Sequence, residues 1–286
     1  MKRKFLLNLI TIALIQIGCS SELEELGSEN ASPMLTDSIY KQAFQNLIDS
    51  AKVIGSILIF DEQENTYFSN NFDWAKKGQL PASTFKIPNS IIALELGIVK
   101  DSSSILPWDG EPQMNPNWEQ DLKLKDALQM SCVPCYRAIA RQIGVDSMNK
   151  FVKAFNYGTM VIDSSNLDLF WLIGESRINS FEQINFLQHF NQQKLNIKPE
   201  TFMTMRYILA REETNKYNLF GKTGWSNDNN HDNTWFVGFL EIANKVYYFA
   251  TNLEPNHETN MNELAHNRVR LTMEAFKLLN TDLKEN

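Results

Sequence analysis

Apolar and polar positions follow different periods in different parts of this chain. Over 37–50, apolar residues fall at Ile39, Tyr40, Phe44, Leu47 and Ile48, a spacing that predicts a helix. Residues 53–60 are apolar and rich in β-branched side chains, 61–65 are turn-like, and 66–69 resume, which predicts a hairpin. From Ser83 to about Tyr157 the pattern is mainly helical, interrupted at Pro107 and by a loop between Pro112 and Pro116. Helical spacing returns over 185–190 and 200–211. The period then shortens. Residues 219–223, 234–241 and 245–252 read as strands, and 262–279 as a closing amphipathic helix. Strands near both ends of a chain with a helical middle predict an α+β fold. Its central antiparallel β-sheet is flanked by N- and C-terminal helices, with a mainly helical lobe inserted between the first and last strands. A cleft between sheet and lobe is a natural ligand site.

The beginning of the chain belongs to none of these elements. Lys2, Arg3 and Lys4 precede an apolar stretch over 5–17 that is broken by Asn8, Thr11 and Gln16. The stretch is too short to span a bilayer, and residues 1–18 read as a signal peptide. It closes on Gly18-Cys19-Ser20. A small residue before a cysteine at this point resembles the bacterial lipobox, whose cysteine is acylated and becomes the mature N-terminus. Gln16 stands where lipoboxes usually carry leucine. Residues 19–34 are polar and acidic, and read as a tether between a lipidated Cys19 and one domain over 35–286. No later stretch is long and apolar enough to cross a bilayer.

Composition narrows the function. At 43% hydrophobic and 21% charged residues, the 286-residue chain can fill a sizeable core, which excludes a disordered or collagenous protein. The net charge of −7 argues against nucleic acid as a partner, because neutralising phosphates needs a basic face. His189, His231, His257 and His266 form no HxH or HExxH pair, which argues against a metal site. His231, beside Asn229, Asn230 and Asp232, reads as part of a polar loop. Cys132 and Cys135 form a C-x-x-C without the βαβ context of thioredoxin chemistry. They read as two buried thiols at helical spacing, with a disulfide as the alternative.

The chemistry begins at Ser83-Thr84-Phe85-Lys86. This S-x-x-K precedes an apolar run that ends at Gly97, a helix C′ residue. On a helix, i and i+3 share a face, so Ser83 and Lys86 can touch. A serine hydroxyl is a poor nucleophile until a base takes its proton, and a lysine is that base only if burial depresses its pKa. Pro88 removes an early hydrogen bond and implies a late start or a bent first turn. By itself an S-x-x-K is common by chance. Here Ser131-Cys132-Val133 follows it, and Lys222-Thr223-Gly224 follows that. Serine-x-x-lysine, then serine-x-asparagine or valine, then lysine-threonine-glycine is the order of motifs in penicillin-recognising serine enzymes.

With these motifs the sequence resembles the class D, or oxacillinase-type, β-lactamases, from about residue 50 to residue 279. The dense parts are 81–99, 108–112, 129–144, 170–179, 221–225 and 234–239. Val133 and Trp171 are class D features, whereas Tyr157-Gly158-Thr159 departs from the family's usual Y-G-N. The resemblance implies that Ser83 attacks the β-lactam carbonyl and that Lys86 is carboxylated by carbon dioxide to an N6-carboxylysine acting as general base. Phe85, Val133 and Leu172 would wall the lysine, and the Trp171 indole would hold the carbamate. Ser131 would relay protons between Lys86 and Lys222. Lys222, Thr223 and an arginine would hold the substrate carboxylate, while the backbone N–H groups of Ser83 and Trp225 would form an oxyanion hole beside Gly224. Arg268 falls at the family's arginine position, and Arg270 is close enough to compete.

The resemblance thus implies an antibiotic-resistance hydrolase of the periplasm. It would take β-lactam substrates with no metal and no cofactor beyond carbon dioxide or bicarbonate. It would touch a membrane only through its lipid, and act as a monomer or homodimer. Two alternatives share its acyl-serine step: a penicillin-binding D,D-peptidase, and a β-lactam-sensing domain that stays acylated.

Overall fold

The structure is a computed structural model and describes residues 36–279. The expected signal peptide and tether, with Cys19, lie outside the described residues, as do Leu35 and residues 280–286. The chain opens with β1 (Asp37–Tyr40), α1 (Gln42–Ser50), β2 (Val53–Asp61), β3 (Thr66–Ser69) and a short α2 (Phe72–Ala75). The helical lobe follows. A 3-10 turn (Ala82–Phe85) leads into α3 (Lys86–Glu95), and the two-residue strands β4 (Ile105–Leu106) and β5 (Leu122–Lys123) bracket a second 3-10 turn (Pro116–Trp118). Next come α4 (Leu124–Gln129), α5 (Val133–Ile143), α6 (Val145–Ala154), α7 (Ser180–Asn191) and α8 (Pro199–Leu209). The chain returns to the sheet with β6 (Ala210–Glu213), β7 (Tyr217–Asp228), β8 (His231–Ile242) and β9 (Lys245–Pro255), and closes with α9 (Met261–Leu279).

Seven strands form one sheet in the order β1-β3-β2-β9-β8-β7-β6. β2 pairs with β9 from Val53↔Pro255 to Asp61↔Tyr247, so the first long strand and the last lie side by side. Successive side chains of a strand point to opposite faces. Ile57 and Ile59 therefore pack under α1 and α9 with Phe236, Phe249, Leu271 and Phe276. Leu58 and Phe60 join Val237, Phe239 and Tyr248 against the helical lobe. A strand buried on both faces reads as a near-continuous apolar run, which is the pattern over 57–60.

The sheet is antiparallel except at its edge, where β1 runs parallel to β3. This edge strand occupies the start of the helix expected over 37–50. Ile39 and Tyr40, which had supplied part of its apolar face, are 43% and 54% exposed. The open edge of β3 takes them, a non-local choice that periodicity does not register. At the other edge, α8 stops at Leu209, and Ala210 and Arg211 belong to β6 rather than to the helix expected over 200–211. α7 is longer than the expected 185–190. A capping box between Asn179 and Glu182 fixes its start, with N–H to side-chain bonds of 2.8 and 2.9 Å. Gly97, at φ +70°, lies just past α3, where the Gly97 N–H bonds the Leu94 carbonyl and the Ile98 N–H that of Ala93. This is a Schellman stop.

Cys132 and Cys135 correct the reading as two thiols: they form a disulfide, with Cα atoms 5.5 Å apart. Cys132 caps α5, and the Cys135 N–H donates to its Sγ. Helical spacing had suggested side chains stacked on one face. A cap residue outside the helix instead turns its sulfur back toward the third helical position.

Candidate active site

The S-x-x-K segment does not begin a regular helix. Ala82 to Phe85 form a 3-10 turn, and α3 starts at Lys86 with Pro88 in its first turn. Proline lacks the N–H that an α-helical bond to Thr84 would use, so the helix is delayed. A 3-10 turn has three residues per turn and eclipses i with i+3. That puts Lys86 Nζ 3.1 Å from Ser83 Oγ. Ser83 is 6% exposed and Lys86 1%.

Several neighbours pin this turn. The Ala82 N–H donates to the Trp171 carbonyl at 2.7 Å. The Asn233 amide and the Trp235 indole both donate to the Leu80 carbonyl at 2.8 Å. Thr84 Oγ1 meets the Pro81 carbonyl, Tyr157 and Gln183. Ala82 has φ +52° and Ser131 φ +53°. Left-handed conformations at non-glycine residues cost roughly 1–3 kcal/mol each and persist only where surroundings impose them. Both lie in or beside the motifs.

Burial alone pushes the Lys86 ammonium down to about 7. The Tyr136 ring centre is 5.0 Å from its Nζ. Phe85 stacks on Trp171, with ring centres 5.6 Å apart and planes at 15°. Trp171 is fully buried, and its indole N–H has no partner among the described residues. A buried donor without a partner costs about 1–3 kcal/mol, so an anionic or carbonyl oxygen beside it would recover free energy.

The second and third motifs meet across the cleft. Ser131 lies between α4 and α5, and Lys222 Nζ donates to its Oγ and, at 2.8 Å, to the Thr223 carbonyl. Lys222 is 2% exposed. Burial lowers its pKa well below the lysine range, and the charges of Lys86, Arg268 and Arg211 lower it further. An ideal Cβ on Gly224 would stand 3.2 Å from Ala82 Cβ and Thr84 Cγ2 and 3.3 Å from the Ser83 nitrogen. A bare backbone is what lets β7 approach Ser83.

Arg268 reaches the same strand. Its Nη1 donates to the Gly224 carbonyl at 2.5 Å, and its guanidinium is 6.0 Å from the Trp225 ring centre. Arg270 is exposed and bonds Asn267 on its own helix. Of the two arginines the structure brings only Arg268 to the K-T-G strand. Trp225 is half-buried, with its indole on Asp232 at 2.6 Å.

Val133 opens α5 and is half-buried, as is Leu172 beside Trp171. Against Lys86 itself the structure adds Tyr136, which sequence reasoning missed. Its hydroxyl is tied to Ser90 at 2.7 Å, one turn beyond the lysine on α3. Asn233 and Trp235 were missed in this role as well. The 234–241 stretch, which holds Trp235 and follows Asn233, was legible as a strand, but their shared acceptor lies about 150 residues away.

A serine in contact with a buried lysine, and a second serine that a lysine of strand β7 reaches from across the cleft, are the parts of an acylating site. Residues 55–274 match the family described as penicillin binding protein transpeptidase domain. The chain is 35% identical over 235 residues to β-lactamase OXA-10 of Pseudomonas aeruginosa, covering 81% of this chain and 88% of that protein. The crystal structure of the class D β-lactamase YbXI from Nostoc is similar with a TM-score of 0.79 at 36% identity, over 82% of this chain and 98% of that one. The regulatory protein BlaR1 of Bacillus licheniformis is 30% identical over 212 residues, 74% of this chain but 35% of that protein. The chain belongs to the class D serine β-lactamases.

Proposed function

We propose that the protein hydrolyses β-lactam antibiotics by acylating Ser83. The contact between Ser83 Oγ and the buried amine of Lys86 carries this reading. Lys86 is the group next to the hydroxyl proton, and the backbone N–H groups of Ser83 and Trp225 face the developing oxyanion. Opening the ring breaks its carbon–nitrogen bond, and the leaving nitrogen takes a proton through Ser131, backed by Lys222. Thr223, Lys222 and Arg268 hold the substrate carboxylate. The acyl ester on Ser83 is then cleaved by water that gives up a proton at the Lys86 position, and that proton returns to the departing Ser83 Oγ. Val133, Leu172 and Gly224 shape the groove around these groups.

The site also fits a carboxylated Lys86. Carbon dioxide adds only to a neutral amine, and burial supplies one near neutral pH. The unpartnered indole N–H of Trp171 suits an added oxygen. Such a carbamate supplies an anionic oxygen base in place of an amine.

The chain is exported, and Cys19 carries the lipid that tethers domain 35–286 to a membrane facing the periplasm, where the protein acts as a monomer or homodimer. Support for this part comes from the sequence of residues 1–34.

The test is covalent. Incubation with a fluorescent penicillin should label wild type, and digestion should map the acyl mass to the peptide carrying Ser83. Ser83→Ala should lose the label while its thermal transition stays in place. Labelling that survives in Ser83→Ala would remove the nucleophile assignment.

A further inference from the structure

β6 pairs with β7 only from Asn218 to Phe220. From Gly221 onward that edge of β7 has no neighbouring strand among the described residues, and an extended ligand can lie along it. Where β6 begins, the pairing skips from Ala210 to Glu212. The skipped residue is Arg211, and a bulge re-aims the side chain it carries. Its guanidinium carbon lies 5.3 Å from the centre of the Phe236 ring, on the β8 residue paired with Thr223. Arg211 and Lys222 also line one pocket of about 240 Å³, with Gly221, Gln129 and Ile208.

Among the described residues, no carboxylate is within ion-pair distance of Arg211, Lys222 or Arg268. The three cations sense one another, and the charge of Arg211 makes both Lys222 and Arg268 easier to deprotonate. Like charges gathered without a counterion favour an anionic ligand. The single carboxylate of a fused-ring β-lactam accounts for Lys222 and Arg268. Arg211 is left over.

Position along the strand says what would reach it. A strand advances about 3.3 Å per residue. With the reacting carbonyl at Ser83 and Trp225 and the carboxylate at Thr223, the next step toward Gly221 meets the substituent on the ring carbon beside the carboxylate-bearing one. We propose that Arg211 and its pocket form a second anion subsite, which selects β-lactams carrying an acidic group on that substituent. This rests on the β-lactamase reading above and extends it to a substrate class.

The test uses two cephalosporins with the same acylamino group, one with a neutral substituent at that ring carbon and one with a carboxylate there. In wild type, kcat/KM should favour the acidic substrate, through KM, and the preference should shrink as salt rises. In Arg211→Gln the ratio of kcat/KM, acidic over neutral, should fall about tenfold, and Arg211→Lys should keep part of it. An arginine that only packs on Phe236 would lower both substrates together and leave the ratio unchanged. An unchanged ratio in Arg211→Gln, or a salt-independent wild-type ratio near one, would overturn the subsite. If wild type hydrolyses neither substrate, the β-lactamase reading itself fails and the subsite with it.

Discussion

Lys86 is held in a place that suits its neutral form. It is buried with the Ser83 hydroxyl and the Tyr136 ring beside it, and its chain neighbour Phe85 stacks on Trp171. The folded lysine gives up its proton near pH 7, whereas an unfolded one keeps it to about 10.5. Between those values the unfolded chain binds more protons, so this group's contribution to stability rises with pH across that window and is least favourable below pH 7. Lys86→Met should flatten that part of a stability-against-pH curve, measured by urea unfolding. Activity should follow the same proton. Hydrolysis should decline reversibly as pH falls through about 7, and at constant pH added bicarbonate should raise it. Trp171→Ala removes the indole donor and opens the pocket to water, which favours the ammonium. It should need more bicarbonate than wild type for half-maximal turnover, and deacylation should slow more than acylation. Lys86→Ala should lose about 10²–10⁴ in turnover, the usual span for a general base. If neither wild type nor Trp171→Ala responds to bicarbonate, and carbon-13 labelling finds no adduct, Lys86 works as a free amine.

At the scale of elements, the site is where β7, the 3-10 turn at Ala82 and the α4–α5 junction converge. Gly224→Ala inserts a Cβ between β7 and a turn already fixed at Ala82 by Trp171. A shift of a few tenths of an ångström at Ser83 should cost about tenfold in acylation rate, read by stopped-flow labelling. The disulfide that staples the first turn of α5 belongs to the same scale. Its reduction should remove about 2 kcal/mol of stability, lowering Tm by several degrees for a domain of this size. A Tm unmoved by reductant would count against the staple.

Much of this frame was legible in the chain. The hairpin of β2 and β3, the three C-terminal strands and α9 follow local periodicity, and three motifs in order located Ser83, Lys86, Ser131 and Lys222. What stayed hidden depends on partners distant in sequence. Asp37–Tyr40 became a strand because β3 had an open edge. Arg268 separated from Arg270 only through the face of α9 that meets Gly224. Tyr136 gained a role from the way α5 packs beside α3. Pro88 did carry its signal: the bent start it implied is the 3-10 turn that brings serine and lysine together.

For the whole molecule, the N- and C-terminal strands close one sheet, and the helical lobe between them supplies half of the cleft. Both halves of the site therefore depend on the global fold. If Cys19 is the anchor, Cys19→Ala should move the protein from the membrane fraction to the soluble periplasm, followed by fractionation and immunoblotting. A wild type already soluble would remove the anchor.

The central claim is that acylated Ser83 is released quickly enough to count as catalysis, which separates a β-lactamase from a sensor or a D,D-peptidase with the same fold. The most direct measurement mixes purified protein with a large excess of a chromogenic cephalosporin in bicarbonate buffer and counts product molecules per protein. The account predicts many turnovers, linear in time, abolished in Ser83→Ala. A burst of about one product per protein followed by silence, with the acyl group still on Ser83 by mass spectrometry, would contradict it.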